Sequence, residues 1–326
     1  MKSIPRLKIA HLPTALEPLP RLSALHGGPT LWIKRDDQTG LAFGGNKTRK
    51  LEFLVAQAQA DGARTLVTAG AIQSNHCRQT AAAAARYGLR CILVLYGNKP
   101  EGVTGNLLLD QLLGAEIVWT ERSKRDQVLE YTFDLAWEAG RRPYLIPYGG
   151  SSPTGAAGYL FAVEELLDQC QAKSTPVPDW IVFASSSGGT QAGLAAGARL
   201  FSLPGKVLGI SVDEPEDVLK ARVAEIATKT IALVGENGIL RPEDIYVNSD
   251  YIAAGYGVMT PAEKYVVQLF AQQEGILLDP VYTSRAAAGM VDLIKQDFFS
   301  KGSNVLFWHT GGGPALFAEQ YRSIID

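Results

Sequence analysis

Ile181-Val182-Phe183 runs through Ser185-Ser186-Ser187-Gly188-Gly189-Thr190 into a helical stretch from Gln191 to Phe201, and this unit sets the fold class. The strand is a continuous apolar run, as suits a strand buried on both faces of a parallel sheet. Its glycines allow the tight turn into the helix. The same strand-to-helix pattern recurs outward in both directions. Further strands are expected at Leu31-Trp32-Ile33, Leu66-Val67-Thr68, Cys91 to Leu95, Ile117-Val118-Trp119, Tyr144-Leu145-Ile146, Val207 to Ile210 and Val305-Leu306-Phe307. Leu51, Leu54, Val55 and Ala58 form one helical stripe. Thr260 and Glu263 have capping-box spacing, with Pro261 in the first helical position. Gly88 stops a helix after Ala81 to Tyr87, and Pro314 opens the last one. Repeated alternation predicts an α/β fold of open, twisted, mostly parallel sheets with helices on both faces.

A chain of 326 residues has room for two lobes, at roughly 100–200 residues per domain. The net charge of −2 gives no reason to expect nucleic acid or a membrane surface as partner. No run of ~18 apolar residues predicts a transmembrane helix, and Met1 to Arg6 lacks the apolar core of a secretion signal. Cys77, Cys91 and Cys170 are scattered, which suits a reducing compartment, so a cytoplasmic protein is expected. His11, His26, His76 and His309 form no ligand pattern, so no metal is expected and any cofactor should be organic. The stretch from Lys173 to Pro178 is the most linker-like, although it also reads as an ordinary helix-to-strand loop.

Four turns at strand ends carry polar or small residues. Gly44-Gly45-Asn46-Lys47 leaves a lysine at the first turn of a helix, where the dipole disfavours an ammonium. That placement lowers its pKa and suits a nucleophilic amine, although a solvated lysine at a loop exit fits this stretch equally well. Ser187, Gly188, Gly189 and Thr190 offer backbone N–H groups and hydroxyls at a helix start, a seat for phosphate; the plainer reading is a capped turn. Gln73, Ser74 and Asn75 offer donors to a carboxylate or phenolate, or simply cap a helix, and His76 reads as structural. His309-Thr310-Gly311-Gly312 is the fourth turn, and Tyr256 and Tyr282 add two aromatics in loops. Ligands of open α/β sheets bind beyond the carboxyl ends of the strands, so these turns point to one crevice. A lysine, a phosphate cradle and a carboxylate seat together suggest pyridoxal 5'-phosphate (PLP), which acts as an electron sink for an amino-acid carbanion.

Gly44-Gly45-Asn46-Lys47, Gln73-Ser74-Asn75-His76, Ser187-Gly188-Gly189-Thr190, Leu278-Asp279-Pro280-Val281-Tyr282 and His309-Thr310-Gly311-Gly312 resemble, in order, the D-cysteine desulfhydrase and 1-aminocyclopropane-1-carboxylate (ACC) deaminase family. That family belongs to the tryptophan synthase β-like group of PLP enzymes. The resemblance implies a large domain from 1–48 and 160–326, a small domain from 49–159, the cofactor in the cleft between them, and a homodimer. By motif, Lys47 looks like the Schiff-base lysine, Asn75 the partner of the phenolic oxygen, and Ser187, Gly188, Gly189 and Thr190 the phosphate seat. Gln73, Ser74 and Asn75 would hold the substrate, with Ser74, Tyr256 and Tyr282 active-site hydroxyls. ACC deaminases carry Glu at the position of Thr283 and Leu at that of Thr310, so the two threonines favour the desulfhydrase branch. Two departures, Ser186 for glycine and Ser284-Arg285 for Gly-Lys, touch the phosphate turn and the start of the helix after Tyr282. The implied reaction is β-elimination from D-cysteine to pyruvate, ammonia and hydrogen sulfide. ACC deamination, a lyase reaction on L-cysteate or a related β-substituted amino acid, and a non-catalytic PLP-binding protein are the other readings. A colourless sugar or nucleotide binder is a further one.

Overall fold

The structure, a computed structural model, describes residues 1–252 and 255–325. β1 (Leu16–Pro18), α1 (Pro20–His26) and β2 (Thr30–Arg35) lead into α2 (Asn46–Ala60). A strand–helix series follows: β3 (Thr65–Ala71), α3 (Asn75–Arg86), β4 (Arg90–Tyr96), α4 (Gly105–Leu112), β5 (Glu116–Thr120), α5 (Arg125–Glu138) and β6 (Pro143–Leu145). The long helix α6 (Pro153–Lys173) returns the chain to β7 (Trp180–Ser185), α7 (Gly189–Leu200), β8 (Lys206–Ser211), α8 (Glu216–Leu233) and β9 (Tyr246–Asn248). Helices α9 (Pro261–Glu274) and α10 (Thr283–Lys295) precede β10 (Asn304–His309).

Two sheets result. One has the order β1-β2-β10-β7-β8-β9 and is parallel apart from the β1–β2 pair; the other, β5-β4-β3-β6, is parallel throughout. The second sheet is built wholly from the middle of the chain, and the first from both ends.

Alternation explains why the strands read as unbroken apolar runs. On β7, Val182 and Ala184 face a core shared with α9 and α10, while Ile181 and Phe183 face one shared with α6 and α7. β10 divides the same way, with Val305 and Phe307 on one face and Leu306 and Trp308 on the other. In the second sheet Val67 and Val94 meet α5, and Leu66 and Leu93 meet α2 and α3. Every strand expected from the sequence lies on an observed one, with Ile146 just past the end of β6. The 173–178 stretch is a helix-to-strand loop. Thr260 caps α9, its N–H donating to Glu263 Oε2 at 2.9 Å. Pro314, however, opens no α-helix. Residues Gly313–Phe317 form a single 3-10 turn, too short to sustain helix nucleation, and extended Ala318 ends it.

Charge is buried where the first sheet meets α2 and α6. Arg49 donates to both oxygens of Asp36, each at 2.8 Å, and to both oxygens of Glu165 at 2.8 and 2.9 Å. Lys34 Nζ donates to Glu165 at 2.6 Å, and Tyr159 Oη to Asp36 at 2.5 Å. Burial works against the Asp36 carboxylate, but Arg49 outweighs it and holds the group at about 2. Asp110 is the opposite case: both carboxyl oxygens are buried without a partner among the described residues, and burial lifts the group to about 8 against the pull of Arg78.

A carboxyl raised in this way favours the folded state fully only below its unfolded value near ~3.9, and its contribution is lost as pH rises towards 8. Asp110→Asn is therefore expected to stabilise the protein at pH 8, by on the order of a few kcal/mol, and to change little at about pH 4. Denaturant midpoints at both pH values test this; equal gains at the two would contradict it.

Candidate active site

Four helices point their N-termini toward one cleft. α2 starts at Asn46, α3 at Asn75, α7 at Gly189 and α10 at Thr283, and residues of all four starts or their caps line or flank it. Asn46, Lys47, Ser74, Asn75, Ser187, Gly188, Thr190, Tyr282 and Thr310 are all on its wall, around about 630 Å³ of empty space. Among the described residues, no aspartate or glutamate lines it. Converging helix N-termini and one lysine, with no acid, make a cleft that favours an anion.

Gly44 and Gly45 have φ of 65° and 125°, which lets the loop after β2 turn into α2. A Cβ on Gly44 would stand 2.1 Å from the Asp37 carbonyl oxygen. Lys47 follows, with Nζ donating to the Gly149 carbonyl at 3.2 Å. Burial lowers its amine to about 8, and Lys50 Nζ donates to the same carbonyl at 3.1 Å.

At the α3 start, Ser74 Oγ accepts from the Cys77 N–H at 3.2 Å, so the serine caps the helix while lining the cleft. Asn75 Oδ1 accepts from Arg78 at 3.1 Å and from Asn106 at 2.9 Å, which fixes the carboxamide with its nitrogen on the Gly312 side. Gln73 is not on the wall. Its side chain donates to the Thr104 carbonyl at 3.0 Å and accepts from the Asn106 N–H at 2.7 Å, so it holds the entry to α4.

At the α7 start, Gly188 adopts φ 83° and exposes the first turn of the helix. Ser187 Oγ and Ser151 Oγ are 2.8 Å apart, and Ser151 Oγ also accepts from the Gly189 N–H at 3.1 Å. Thr190 Oγ1 accepts from Asn46 Nδ2 at 3.0 Å, so the lysine-bearing turn and the α7 turn brace each other. Thr310 lines the cleft, and its carbonyl accepts from the Asn46 N–H at 2.9 Å.

Tyr256 and Tyr282 share a hydroxyl-to-hydroxyl hydrogen bond, and burial pushes both phenols well up. Thr283 is turned away: its Oγ1 donates to Asp279 Oδ1 and accepts from the Asp279 N–H, both at 2.7 Å. Arg285, one of the two departures noted in the sequence, is 1% exposed and donates to the carbonyls of Val212, Gly255 and Val258. It therefore pins the loop on both sides of Tyr256.

Sequence reasoning missed Tyr148 and Gly149, which follow β6 and complete the wall, and Ser151 behind Gly189. The Gly149-Gly150 pair, with φ of 66° and 64°, is the sequence signal that could have flagged the turn. Tyr148 Oη is 3.1 Å from Tyr96 Oη, and burial raises its phenol. His76 lines the cleft, with Nε2 2.9 Å from Thr68 Oγ1 and Nδ1 buried without a partner among the described residues. His309 is structural, its Nε2 3.0 Å from the Leu277 carbonyl oxygen.

Residues 7–311 match the profile of the pyridoxal-phosphate dependent enzymes. The chain belongs to that family. It is 45% identical over 322 residues to a D-cysteine desulfhydrase of Salmonella choleraesuis (strain SC-B67), covering 96% of each chain, and 45% identical over 326 residues to that of Salmonella typhi, again covering 96% of each. Among solved structures, an ACC deaminase homologue superposes with a TM-score of 0.89 at 36% identity, over 99% of this chain and 97% of that one. A fungal L-serine ammonia-lyase from Rhizomucor miehei shares the fold, with a TM-score of 0.68 at 16% identity, over 96% of this chain and 98% of that one. The protein is thus a PLP-dependent enzyme homologous to D-cysteine desulfhydrases, with the tryptophan synthase β-like fold. The residues present fit the cofactor: among the described residues, a wall without acids for its phosphate, an amine lowered by burial for its aldehyde, and a buried Ser185 Oγ without a partner beside the phosphate turn.

A Cβ on Gly189 would meet Ser151 Oγ at 2.6 Å and Ser151 Cα at 2.8 Å. Gly189→Ala is expected to displace Ser151, open the phosphate turn and weaken PLP binding by roughly ten-fold or more. Absorbance titration of the cofactor-freed protein measures it; unchanged affinity would remove this turn from the site.

Proposed function

We propose that the protein is a lyase that eliminates hydrogen sulfide from D-cysteine, leaving pyruvate and ammonia. The observation that carries the reading is Lys47, a half-buried amine of lowered proton affinity in a cleft that no acid lines among the described residues, in a chain similar over 96% of its length to D-cysteine desulfhydrases. Bound PLP supplies an electron sink for the negative charge that develops at the substrate's α-carbon. Lys47 would hold the cofactor through its aldehyde and, when its amine is free of that bond, would take the α-proton at Nζ. Ser187, Gly188, Gly189 and Thr190 hold the phosphate at the N-terminus of α7. Asn75, its carboxamide fixed by Arg78 and Asn106, turns its NH2 to the ring's phenolic oxygen. Ser74, beside the first turn of α3, holds the substrate carboxylate, and Gln73 supports that turn from behind.

Tyr256 and Tyr282 form the second proton carrier. Burial keeps both as neutral phenols, so the pair can give a proton to the departing sulfur. Thr310 would offer the cofactor a neutral hydroxyl from the wall, while Thr283 is bonded to Asp279 at the start of α10. A thiolate is a good leaving group, so its loss needs less electron withdrawal than opening a cyclopropane ring. This is why two threonines favour D-cysteine over ACC.

We further propose two lobes, 1–48 with 160–326 and 49–159, which assign each sheet to one lobe, and a cytoplasmic homodimer. Exposed Phe43, Leu112 and Phe317 support an apolar contact between subunits. No described helix is long and apolar enough to cross a membrane, and no described cluster of His, Cys, Asp and Glu could hold a metal.

Lys47→Ala is expected to abolish the visible absorbance of the bound cofactor and to reduce sulfide release at least ~10³-fold. Retention of both would end this reading. Pyruvate release from D-cysteine, L-cysteine, L-cysteate and ACC, assayed in parallel, is expected to be fastest from D-cysteine; faster turnover of ACC would overturn the substrate assignment.

A further inference from the structure

Arg285 is a buried cation that the chemistry above does not use. It stands in the first turn of α10, the helix that Tyr282 opens, and is 1% exposed. Its Nε donates to Glu263 Oε1 at 2.8 Å. One terminal nitrogen donates to the Val212, Ile252 and Gly255 carbonyls at 2.7, 3.2 and 3.1 Å, and the other to the Val258 carbonyl at 2.7 Å. One guanidinium thus ties the exit of β8, the chain on both sides of Tyr256 and a residue of α9 to the start of α10.

Tyr282 has a seat of its own. Its N–H and that of Val281 donate to Asp279 Oδ2, each at 3.1 Å, and its carbonyl accepts from the Ala286 N–H within α10. Tyr256 stands between Gly255 and Gly257, at φ 102° and 77°, so its neighbours have no side chains to stiffen the loop. Tyr321 Oη donates to the Gly257 carbonyl at 3.0 Å, and Arg285 takes the carbonyls on either side, those of Gly255 and Val258. Glu263 completes the hold: its Oε2 accepts from the Thr260 N–H at 2.9 Å and caps α9, while Oε1 pairs with Arg285. Held in this way, the Tyr256 ring meets that of Tyr282 edge-on, with centroids 5.9 Å apart, and the two hydroxyls are hydrogen-bonded.

A donor made of two hydroxyls works only while they keep one geometry, and a misplacement of about 1 Å can cost ~10²-fold in rate. We propose that Arg285 is the positioning residue of the tyrosine pair, holding Tyr256 against Tyr282 so that the two hydroxyls meet the departing sulfur as one donor. In that step the Cβ–S electron pair leaves on sulfur, an O–H bond of the pair breaks as the S–H bond forms, and water returns a proton to the phenolate. Arginine suits the task because its planar fork reaches carbonyls in several directions at once, and Glu263 offsets the charge it brings. Arg285 does not line the cleft and acts through Tyr256. The inference rests on the reading of Tyr256 and Tyr282 as the donor to sulfur.

The test compares kcat for pyruvate release from D-cysteine with that from β-chloro-D-alanine. Chloride leaves without a proton, so a misplaced donor slows sulfide release more than chloride release, whereas a general loss of structure slows both alike. The double variant Glu263→Gln/Arg285→Met removes the buried pair together and strands no charge, and the new amide keeps an oxygen for the Thr260 cap. It is expected to lower the ratio of the two rates at least ~10-fold, with the visible absorbance of the bound cofactor unchanged. Tyr256→Phe is expected to lower the ratio as far. Arg285→Lys, which keeps the charge and several donors, is expected to stay within about three-fold of the wild-type ratio. An unchanged ratio in the double variant, beside a lowered one in Tyr256→Phe, overturns the proposal and keeps the tyrosines as donor. Unchanged ratios in both reject the donor itself. Chymotrypsin gives a second measurement, because cleavage after Tyr256 requires the loop to come free. The native wild type is expected to resist it there and the double variant to be cut; prompt cutting of the wild type overturns the proposal without needing any variant to fold. A protein that releases no pyruvate from either substrate would reject the reaction, and the cleavage comparison alone would then decide whether Arg285 holds the loop.

Discussion

The bidentate contact of Arg49 with Asp36, extended by Glu165, fixes the frame from which the cleft is built. Asp36 follows β2, Arg49 lies in the first turns of α2, and Glu165 is in the middle of α6. One guanidinium therefore ties the first sheet to the helix that carries Lys47 and to the helix that leads back from the second sheet. Its planar fork matches two carboxylates at once, which an ammonium could not do. Such a network adds little net stability compared with apolar packing, but losing one partner would strand a buried charge. Its effect is geometric: α2 cannot rotate or slide without breaking it, so the lysine two residues earlier has a fixed starting point.

Around that fixed lysine the cleft is electropositive without being crowded by cations. Helix N-termini supply partial charge from backbone N–H groups that cannot move or be screened by side-chain rearrangement. A phosphate can then be held while the nearby amines stay low in proton affinity, because burial lowers them and no acid on the wall among the described residues raises them. An aspartate on this wall would hold Lys47 as an ammonium and end its use as a nucleophile. The same absence leaves Lys50 without a counter-charge, so the anion seat and the reactive amine follow from one design.

Much of this was legible in the sequence because strand-to-helix turns carry their own signals. Continuous apolar runs gave β2, β3, β4, β5, β6, β7, β8 and β10, and the turns after β2, β3, β7 and β10 supplied Lys47, Ser74, Asn75, Ser187, Gly188, Thr190 and Thr310 for the cleft. What was not legible depends on long-range contact. Tyr148 and Gly149 follow β6, a three-residue strand whose exit, Gly149-Gly150-Ser151-Ser152, is glycine-rich but leads into α6 only after a 3-10 turn. Ser151 matters only because it meets Gly189 from another segment. Lys50 read as one more charge in Lys47-Thr48-Arg49-Lys50, and nothing in that run says that Arg49 and Lys50 are buried. β1 and β9 were too short to register as apolar runs. Gln73 shows the converse: its place beside Ser74 suggested a ligand contact, yet both ends of its amide are taken by the start of α4.

The two threonines that separate the desulfhydrase branch from the deaminases stand in different positions. Thr310 lines the cleft, whereas the hydroxyl and N–H of Thr283 are both given to Asp279 Oδ1, at 2.7 and 2.6 Å. Asp279 is fully buried and also accepts from the N–H groups of Val281 and Tyr282, each at 3.1 Å. Burial raises its carboxyl, and these donors, with Thr283 foremost, oppose the rise. A glutamate at position 283 would withdraw one donor from Asp279 and bring a second carboxyl into the same dry turn, so one of the two would have to keep its proton or turn toward the cleft. Turned that way it would ion-pair with a protonated pyridine nitrogen, as ring opening requires. Threonine leaves the turn closed on Asp279, and the neutral Thr310 is the threonine of the two that lines the cleft. The choice of residue at 283 thus acts through Asp279, by deciding whether the start of α10 spends its polar groups on itself or on the cofactor.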